Sequence, residues 1–276
     1  LRTARAGDGE AGDRVGFGGR AYTTTEVGAM AYADVHDDYL GFLAPLLEQA
    51  RRLLGADGTL YLHVDPREAH YCKVLLDEVF GRDCFLNEIV WAYDYGGRAR
   101  DRWPQKHDTI LVYVKEPGRH YFDREAVDRI PYMAPGLVSA DKAARGKLPT
   151  DVWWHTIVPT NGREKTGYPT QKPEGVLRRI VQASSAPGAR VLDFFAGSGT
   201  TGAVAAGLGR RFVLVDHNPE AVAVMRRRLG TDGVEYVDDL EGAESADQPA
   251  EGPVPRARNV GGASRAASNR ATTSLP

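Results

Sequence analysis

An apolar run, Val191-Leu192, ends on an acid, Asp193, and a glycine-rich stretch follows at once: Phe194-Phe195-Ala196-Gly197-Ser198-Gly199-Thr200-Thr201-Gly202. A strand, a turn and a helix in that order present a backbone that a ligand can approach closely, with the unpaired N–H groups of a helix start beside it. Gly197, Gly199 and Gly202 satisfy the G-x-G-x-x-G spacing of dinucleotide-binding turns. Asp216 ends the next apolar run, about 20 residues further on, where a carboxylate accepts hydrogen bonds from ribose hydroxyls. Asp193 discriminates between ligands. A pyrophosphate would meet its negative charge, whereas a ligand with a cationic end and no phosphate would be drawn to it. S-Adenosylmethionine carries an ammonium and a sulfonium, so the methyl-donor reading is favoured over a nicotinamide dinucleotide.

These groups need a frame, and 276 residues suffice for one large α/β domain with a sizeable core. Apolar residues recur at helical spacing from Tyr39 to Leu54, after Asp37-Asp38 and before Gly55. Residues 59–64 read as a buried strand. Asp65-Pro66-Arg67-Glu68 then combines an N-cap, a proline at the first helical position and a capping-box acid, for a helix running to about residue 80. Strand-like runs at 87–93 and 109–114 are joined by a glycine-rich, basic connection. Residues 116–167 show little periodicity, which in a compact domain marks a functional or disordered stretch. Pro173 opens a helix carrying Val176, Leu177, Ile180 and Val181. The remaining pattern is a strand at 190–194, a helix at about 200–208, a strand at 211–216, a helix at 218–229 and a short strand at 234–237. The alternation predicts an α/β fold with a doubly wound, mostly parallel sheet and a β-hairpin. Residues 1–31 are expected to be an irregular loop, and residues 241–276, with almost nothing to bury, a disordered tail.

Two segments together are similar to the DNA amino-methyltransferase family: Tyr168-Pro169-Thr170-Gln171-Lys172-Pro173-Glu174, and Asp193 to Thr201 after it. The order of parts resembles the permuted branch, in which the catalytic half precedes the cofactor half, and the likeness spans about residues 32–238. It extends to residues 61–71, 86–91, 106–113 and 151–167. The resemblance implies a seven-stranded methyltransferase sheet and S-adenosylmethionine as cofactor. It implies a site-specific enzyme that methylates the exocyclic amine of a base flipped out of double-stranded DNA, adenine rather than cytosine. Asp193, Phe195, Ala196, Gly197, Gly199, Thr200, Thr201 and Asp216 would surround the cofactor, and Lys172 and Pro173 would complete its pocket. The halves would be residues 32–115 and 168–240, with 116–167 as the target-recognition insertion. One departure is Phe194, where the family commonly has proline.

The family's amine-binding motif, Asp-Pro-Pro-Tyr or its Ser-Pro-Pro variant, is not found: no Pro-Pro pair occurs in the 276 residues. Asp65-Pro66-Arg67 is the nearest lookalike and reads as the helix cap, so no catalytic residue is assigned. In this branch the motif precedes the first helix, and Leu1 is not an initiator methionine. The expectation is a truncated chain without its central catalytic strand, inactive as given. The alternatives are a pseudo-enzyme that only binds DNA or cofactor, and a nicotinamide-dependent oxidoreductase.

A net charge of −2 conceals an asymmetry: residues 96–172 hold 14 Lys/Arg against 9 Asp/Glu, and residues 232–251 hold 8 acids and no base. Arg98, Arg100, Arg102, Lys106 and His107 cluster with Trp103 in the basic connection and are the candidates for the DNA backbone. Trp153 and Trp154 read as core anchors of the insertion, and His63 and His70 as structural. No Cys/His cluster has metal-ligand spacing. Cys72 and Cys84 are too few for a disulfide scaffold, which makes the cytoplasm the default compartment. No membrane partner is expected. A restriction endonuclease or a second copy of the chain is the protein partner this reading admits.

Overall fold

Local signals start the helices where the sequence places them. The Asp38 side chain accepts from Gly41 N at 2.8 Å and caps α1, Tyr39–Leu53. Asp65 accepts from Arg67 N at 2.8 Å and caps α2, Pro66–Phe80, so the Asp-Pro-Arg segment is a helix start. The computed structural model describes residues 2–6, 14–15, 21–26, 38–96 and 99–237. The chain divides into two units, Leu1–Val234 and Glu235–Pro276. In the second, residues 235–237 are described and form neither helix nor strand, so the short strand expected at 234–237 is not made. Valine and tyrosine alternation favours a strand only where a neighbour pairs with it. The expected tail at 241–276 lies outside the described residues.

In the first unit, three short strands, β1 (Arg2–Ala6), β2 (Arg14–Val15) and β3 (Ala21–Glu26), form an antiparallel sheet in the order β1-β3-β2. This corrects the expectation of an irregular loop over 1–31. Ala21-Tyr22-Thr23-Thr24-Thr25-Glu26 is rich in β-branched and aromatic residues, which favour strands without any apolar alternation to announce them.

A four-stranded sheet runs β4-β6-β5-β7, from β4 (Thr59–Val64), β5 (Phe85–Ala92), β6 (His107–Val114) and β7 (Val152–Trp154). β6 is antiparallel to both β4 and β5, and β7 is parallel to β5. Three of the four strands therefore point one way, with the hairpin strand β6 opposed. One face carries Leu62, Val64, Leu111 and Tyr113 against Leu43, Leu47, Cys72 and Leu76 of α1 and α2. The other carries Ile89, Trp91, Ile110 and Val112 against Trp153 and Val176. Each fully buried Leu, Ile or Val contributes about 1.5–3 kcal/mol, and β6, covered on both faces, anchors the sheet. The insertion at 116–167 is not featureless. It holds β7 and a short helix, α3 (Ala140–Arg145).

The cofactor half is α4 (Glu174–Ser184), β8 (Arg190–Asp193), α5 (Thr200–Gly207), β9 (Arg211–Leu214) and α6 (Pro219–Leu229). β8 and β9 pair in parallel as a separate two-stranded sheet. Among the described residues β4 bonds only to β6 and β8 only to β9, so they do not form one seven-stranded sheet.

Candidate active site

β8 delivers Asp193 to the head of the turn, and the turn folds around that carboxylate. Phe195 N donates to Asp193 Oδ1 at 3.0 Å, and Thr201 Oγ1 donates to Oδ2 at 2.6 Å. Asp216 lies two residues beyond β9 and closes the turn from the other side: Oδ2 accepts from Gly197 N at 2.7 Å and Oδ1 from Asn218 N at 2.9 Å. Ala196 is buried, and its N–H donates to Val215 O at 3.1 Å. Gly197 and Gly199 take positive φ, +51° and +71°, which an L side chain rarely adopts. A Cβ would stand 3.1 Å from the Tyr168 ring at Gly197 and 2.8 Å from Met225 Cγ at Gly199.

Thr200 and Thr201 are buried and already engaged. Thr200 Oγ1 donates to Lys172 O at 3.2 Å and lies 3.0 Å from Ser198 Oγ. The sequence reading did not foresee Arg228, which joins three segments at this point. It donates to Thr200 Oγ1 at 2.9 Å, to Ser198 O at 3.4 Å and to Glu174 Oε1 at 2.8 Å. Its side chain is only 9% exposed. Gln171 staples the segment before α4, accepting from Thr166 N at 2.8 Å and donating to Glu164 O at 2.6 Å. Pro173 is fully buried at the start of α4. Lys172 thus meets the turn through its carbonyl, while burial lowers the pKa of its ammonium.

Burial pushes the Asp193 carboxyl above its ordinary pKa, and the nearby charge of Asp216 pushes it the same way. Among the described residues no lysine, arginine or histidine forms an ion pair with either acid. Two neighbouring carboxylates, one desolvated and neither matched by a cation, form a site suited to a positively charged ligand. Phe195 is half-exposed beside it, with the Phe42 ring of α1 at 6.3 Å between centroids.

His63 and Asp108 form a second cluster. His63 Nε2 lies 2.9 Å from Asp108 Oδ2, and Tyr93 donates its hydroxyl to Oδ1 at 3.1 Å. With the carboxylate ionised, Nε2 carries the proton and donates it. Burial lowers the His63 pKa. Burial alone would raise the Asp108 carboxyl, but the hydrogen bond from His63 and the charges around it hold it below the ordinary range. Burial and the Asp108 charge push Tyr93 up to about 12. The sequence reading took His63 as structural and missed Asp108. In register Val64 faces Thr109, so both lie at the end of the sheet where β4 stops and β6 starts.

The model of the family described as DNA methylase matches residues 20–227. The chain belongs to the DNA methylase family. It is 32% identical over 204 residues to the Type II methyltransferase M.HpaI of Haemophilus parainfluenzae, covering 73% of this chain and 63% of that one. To the DNA adenine methyltransferase YhdJ of Escherichia coli (strain K12) it is 32% identical over 201 residues, covering 70% and 67%. The chain therefore spans about two thirds of the length of these relatives. Two solved structures share the fold. The M1.HpyAVI–SAM complex aligns at TM-score 0.52 and 23% identity, over 71% of this chain and 85% of that one. PvuII DNA methyltransferase, cytosine-N4-specific, aligns at 0.56 and 15%, over 76% and 78%.

In this member of the family the basic residues expected to meet DNA are not equivalent. Arg98 lies outside the described residues. Arg100 and Arg102 are exposed, Arg102 beside Asp101 at 3.1 Å. Lys106 is half-buried and donates to Gly96 O at 2.9 Å, and His107 is a strand residue paired with Ala92. Trp153 is buried, as a core anchor should be, whereas Trp154 is exposed. His70 lies exposed on α2. A cavity of about 340 Å³ lies against the first half of β4, lined by Thr59, Tyr61, Trp153 and Ser184 among others. None of its lining residues belongs to the turn, so it is not the ligand site built above. Among the described residues no group of three or more His, Cys, Asp or Glu could hold a metal ion, and no helix is long and apolar enough to cross a membrane.

Proposed function

We propose that the chain forms the donor-binding and substrate-positioning parts of a site-specific DNA methyltransferase. It moves a methyl group from S-adenosylmethionine to the exocyclic amine of a base flipped out of double-stranded DNA. The observation that carries the reading is the pair Asp193 and Asp216, two carboxylates at the glycine turn with no cationic partner among the described residues. The residues fit the donor. Asp193 offers charge to its ammonium and sulfonium, Asp216 keeps lone pairs for ribose hydroxyls, and Phe195 presents an aromatic wall. When bound, the donor supplies an electrophilic methyl group. Lys172, Pro173 and Arg228 hold the turn that receives it. Arg98, Arg100 and Arg102 serve the DNA backbone, and the insertion at 116–167 serves target recognition. A nicotinamide dinucleotide is disfavoured, because its pyrophosphate would face these carboxylates.

The amine must be held by hydrogen bonds that draw its lone pair out of the ring, and none of the residues placed above does that. We assign this task to a further strand that pairs with an edge of β4 or β8 left unpaired among the described residues and carries a Pro-Pro motif, which these 276 residues do not contain. Adenine is favoured over cytosine, in line with the adenine methyltransferase among the 32% identical relatives. A restriction endonuclease or a second copy is the protein partner compatible with the Type II relatives.

The test has two arms. Calorimetric titration of the chain with S-adenosylmethionine and with NAD should show binding of the first only; the reverse result would sink the reading. Labelled methyl transfer to mixed-sequence DNA should be absent for this chain and present for a longer chain carrying the strand, with label in N6-methyladenine after digestion. Turnover by the 276 residues alone would place the catalytic group among residues taken here as structural. Label in N4-methylcytosine would overturn the base assignment.

A further inference from the structure

The connection between β5 and β6 is closed at its neck. Tyr93 N donates to Lys106 O at 3.0 Å, and the Lys106 ammonium donates to Gly96 O at 2.9 Å. Asp94 and Gly96 take positive φ, +46° and +104°, so the chain turns sharply as it leaves β5. Within this clasped loop Trp103 is 95% exposed, whereas Trp91 and Trp153, on the neighbouring strands, are 2% and 7% exposed. Exposed Arg100 and Arg102 precede it, and Pro104 restricts its backbone to an extended conformation. Two residues, Pro104 and Gln105, separate it from Lys106 at the neck, a reach of about 10 Å. The neck stands on the sheet end where Trp91 pairs with Asp108, the end that also carries His63. An indole, the largest apolar side chain, is thus held in water between cations, close to the end of the sheet that carries His63 and Asp108.

We infer that Trp103 is the wedge that enters the duplex and fills the gap left by the flipped base, with Arg100 and Arg102 on the flanking phosphates. The inference rests on the DNA methyltransferase reading. Extruding a base leaves an unstacked hole, and apolar side chains inserted between base steps occupy such openings. Stacking on an aromatic ring is tolerant of sequence, because every base presents a π-face. The loop can therefore do this at any target the rest of the protein selects.

The test uses the full chain and two duplexes of one sequence, intact or carrying a single abasic site as a ready-made hole. The chain should prefer the abasic duplex by roughly 5- to 150-fold, the range of one base–aromatic stack. Trp103→Ala should abolish the preference while leaving the affinity for intact duplex and its salt slope in place, and Trp103→Phe should restore part of it. Melting curves of both variants should match the parent, since the side chain packs against little. An alanine variant that keeps the preference, or a parent that shows none while binding both duplexes with a normal salt slope, overturns the wedge and leaves the DNA reading standing. A parent that binds neither duplex overturns both.

Discussion

Replacing Asp216 tests the donor site most directly, because its carboxylate has two tasks that two substitutions separate. In the free protein it accepts from Gly197 N at 2.7 Å and Asn218 N at 2.9 Å, tying the turn to the loop after β9. Each oxygen keeps a second lone pair, which the donor's ribose hydroxyls can use. A hydrogen bond to a charged group contributes about 1.5–3 kcal/mol. Asp216→Ala should therefore weaken S-adenosylmethionine binding by about 10- to 150-fold. It should also cost stability, about 3–4 kcal/mol for the two backbone bonds, the lower end of their summed range because the group is only half-buried. Asp216→Asn keeps an oxygen for Gly197 but turns an NH2 group toward the Asn218 N–H and removes the charge. It should recover about half of the stability and little of the affinity. Calorimetry gives the affinity and urea unfolding the stability. If Asp216→Asn binds the donor as tightly as the parent, the carboxylate is not a ribose partner. If Asp216→Ala does so too, the donor does not use this turn.

Three further outcomes follow from the same geometry. Arg228→Ala should lower unfolding stability by about 2–3 kcal/mol, below the range for a fully buried pair because Glu174 is partly exposed; Arg228→Lys should recover less than half, and a loss under about 0.5 kcal/mol would show that the three bonds clamp nothing. A cationic donor favours ionised Asp193, whose pKa burial raises, so affinity should fall on acidification while the pH is still above the ordinary carboxylate range; an affinity that stays flat with pH would remove Asp193 from the site. Burial lowers the His63 pKa, so the unfolded chain takes up the proton first and stability should fall as pH drops below about 6.5; urea unfolding at pH 7.5 and 5.5 should show the slope reduced in His63→Gln, and an unchanged slope would assign the loss to other groups.

The elements that the sequence made legible are those specified by residues near in the chain. α2 is written in four consecutive residues, Asp65 to Glu68, and its cap forms as expected. β7 could not be read this way: it is three residues long and exists because Val152–Trp154 lies beside Val90–Ala92, some 60 residues earlier. The N-terminal strands depend likewise on pairing Arg2 with Glu26, and their threonines gave no apolar rhythm. The same limit applies to side chains. Thr200 and Thr201 follow the glycines and look free to meet a ligand, but Arg228 and Asp193 claim them. Asp108 becomes a neighbour of His63 only once β4 and β6 are known to be antiparallel in that register.

The glycine pattern itself shows why spacing alone left two cofactors open. Gly197 is needed because its φ is positive and the Tyr168 ring stands where a Cβ would press, and Gly199 because Met225 of α6 does the same. At Gly202 a Cβ would stand 2.6 Å from Leu214 of β9. All three requirements come from the protein packing against itself around a strand–turn–helix, and a dinucleotide-binding turn imposes similar ones. The pattern therefore specifies a turn. What separates a methyl donor from a dinucleotide is the charge the turn encloses: a half-buried carboxylate repels a pyrophosphate and attracts a sulfonium or an ammonium. Asp193, a single residue outside the glycine motif, carries that information. Exchanging it for asparagine should leave the turn folded, with Phe195 N and Thr201 Oγ1 still donating to one amide oxygen at most, and remove the preference for a cationic ligand. A variant that kept full donor affinity would show that the turn, and not its charge, selects the cofactor.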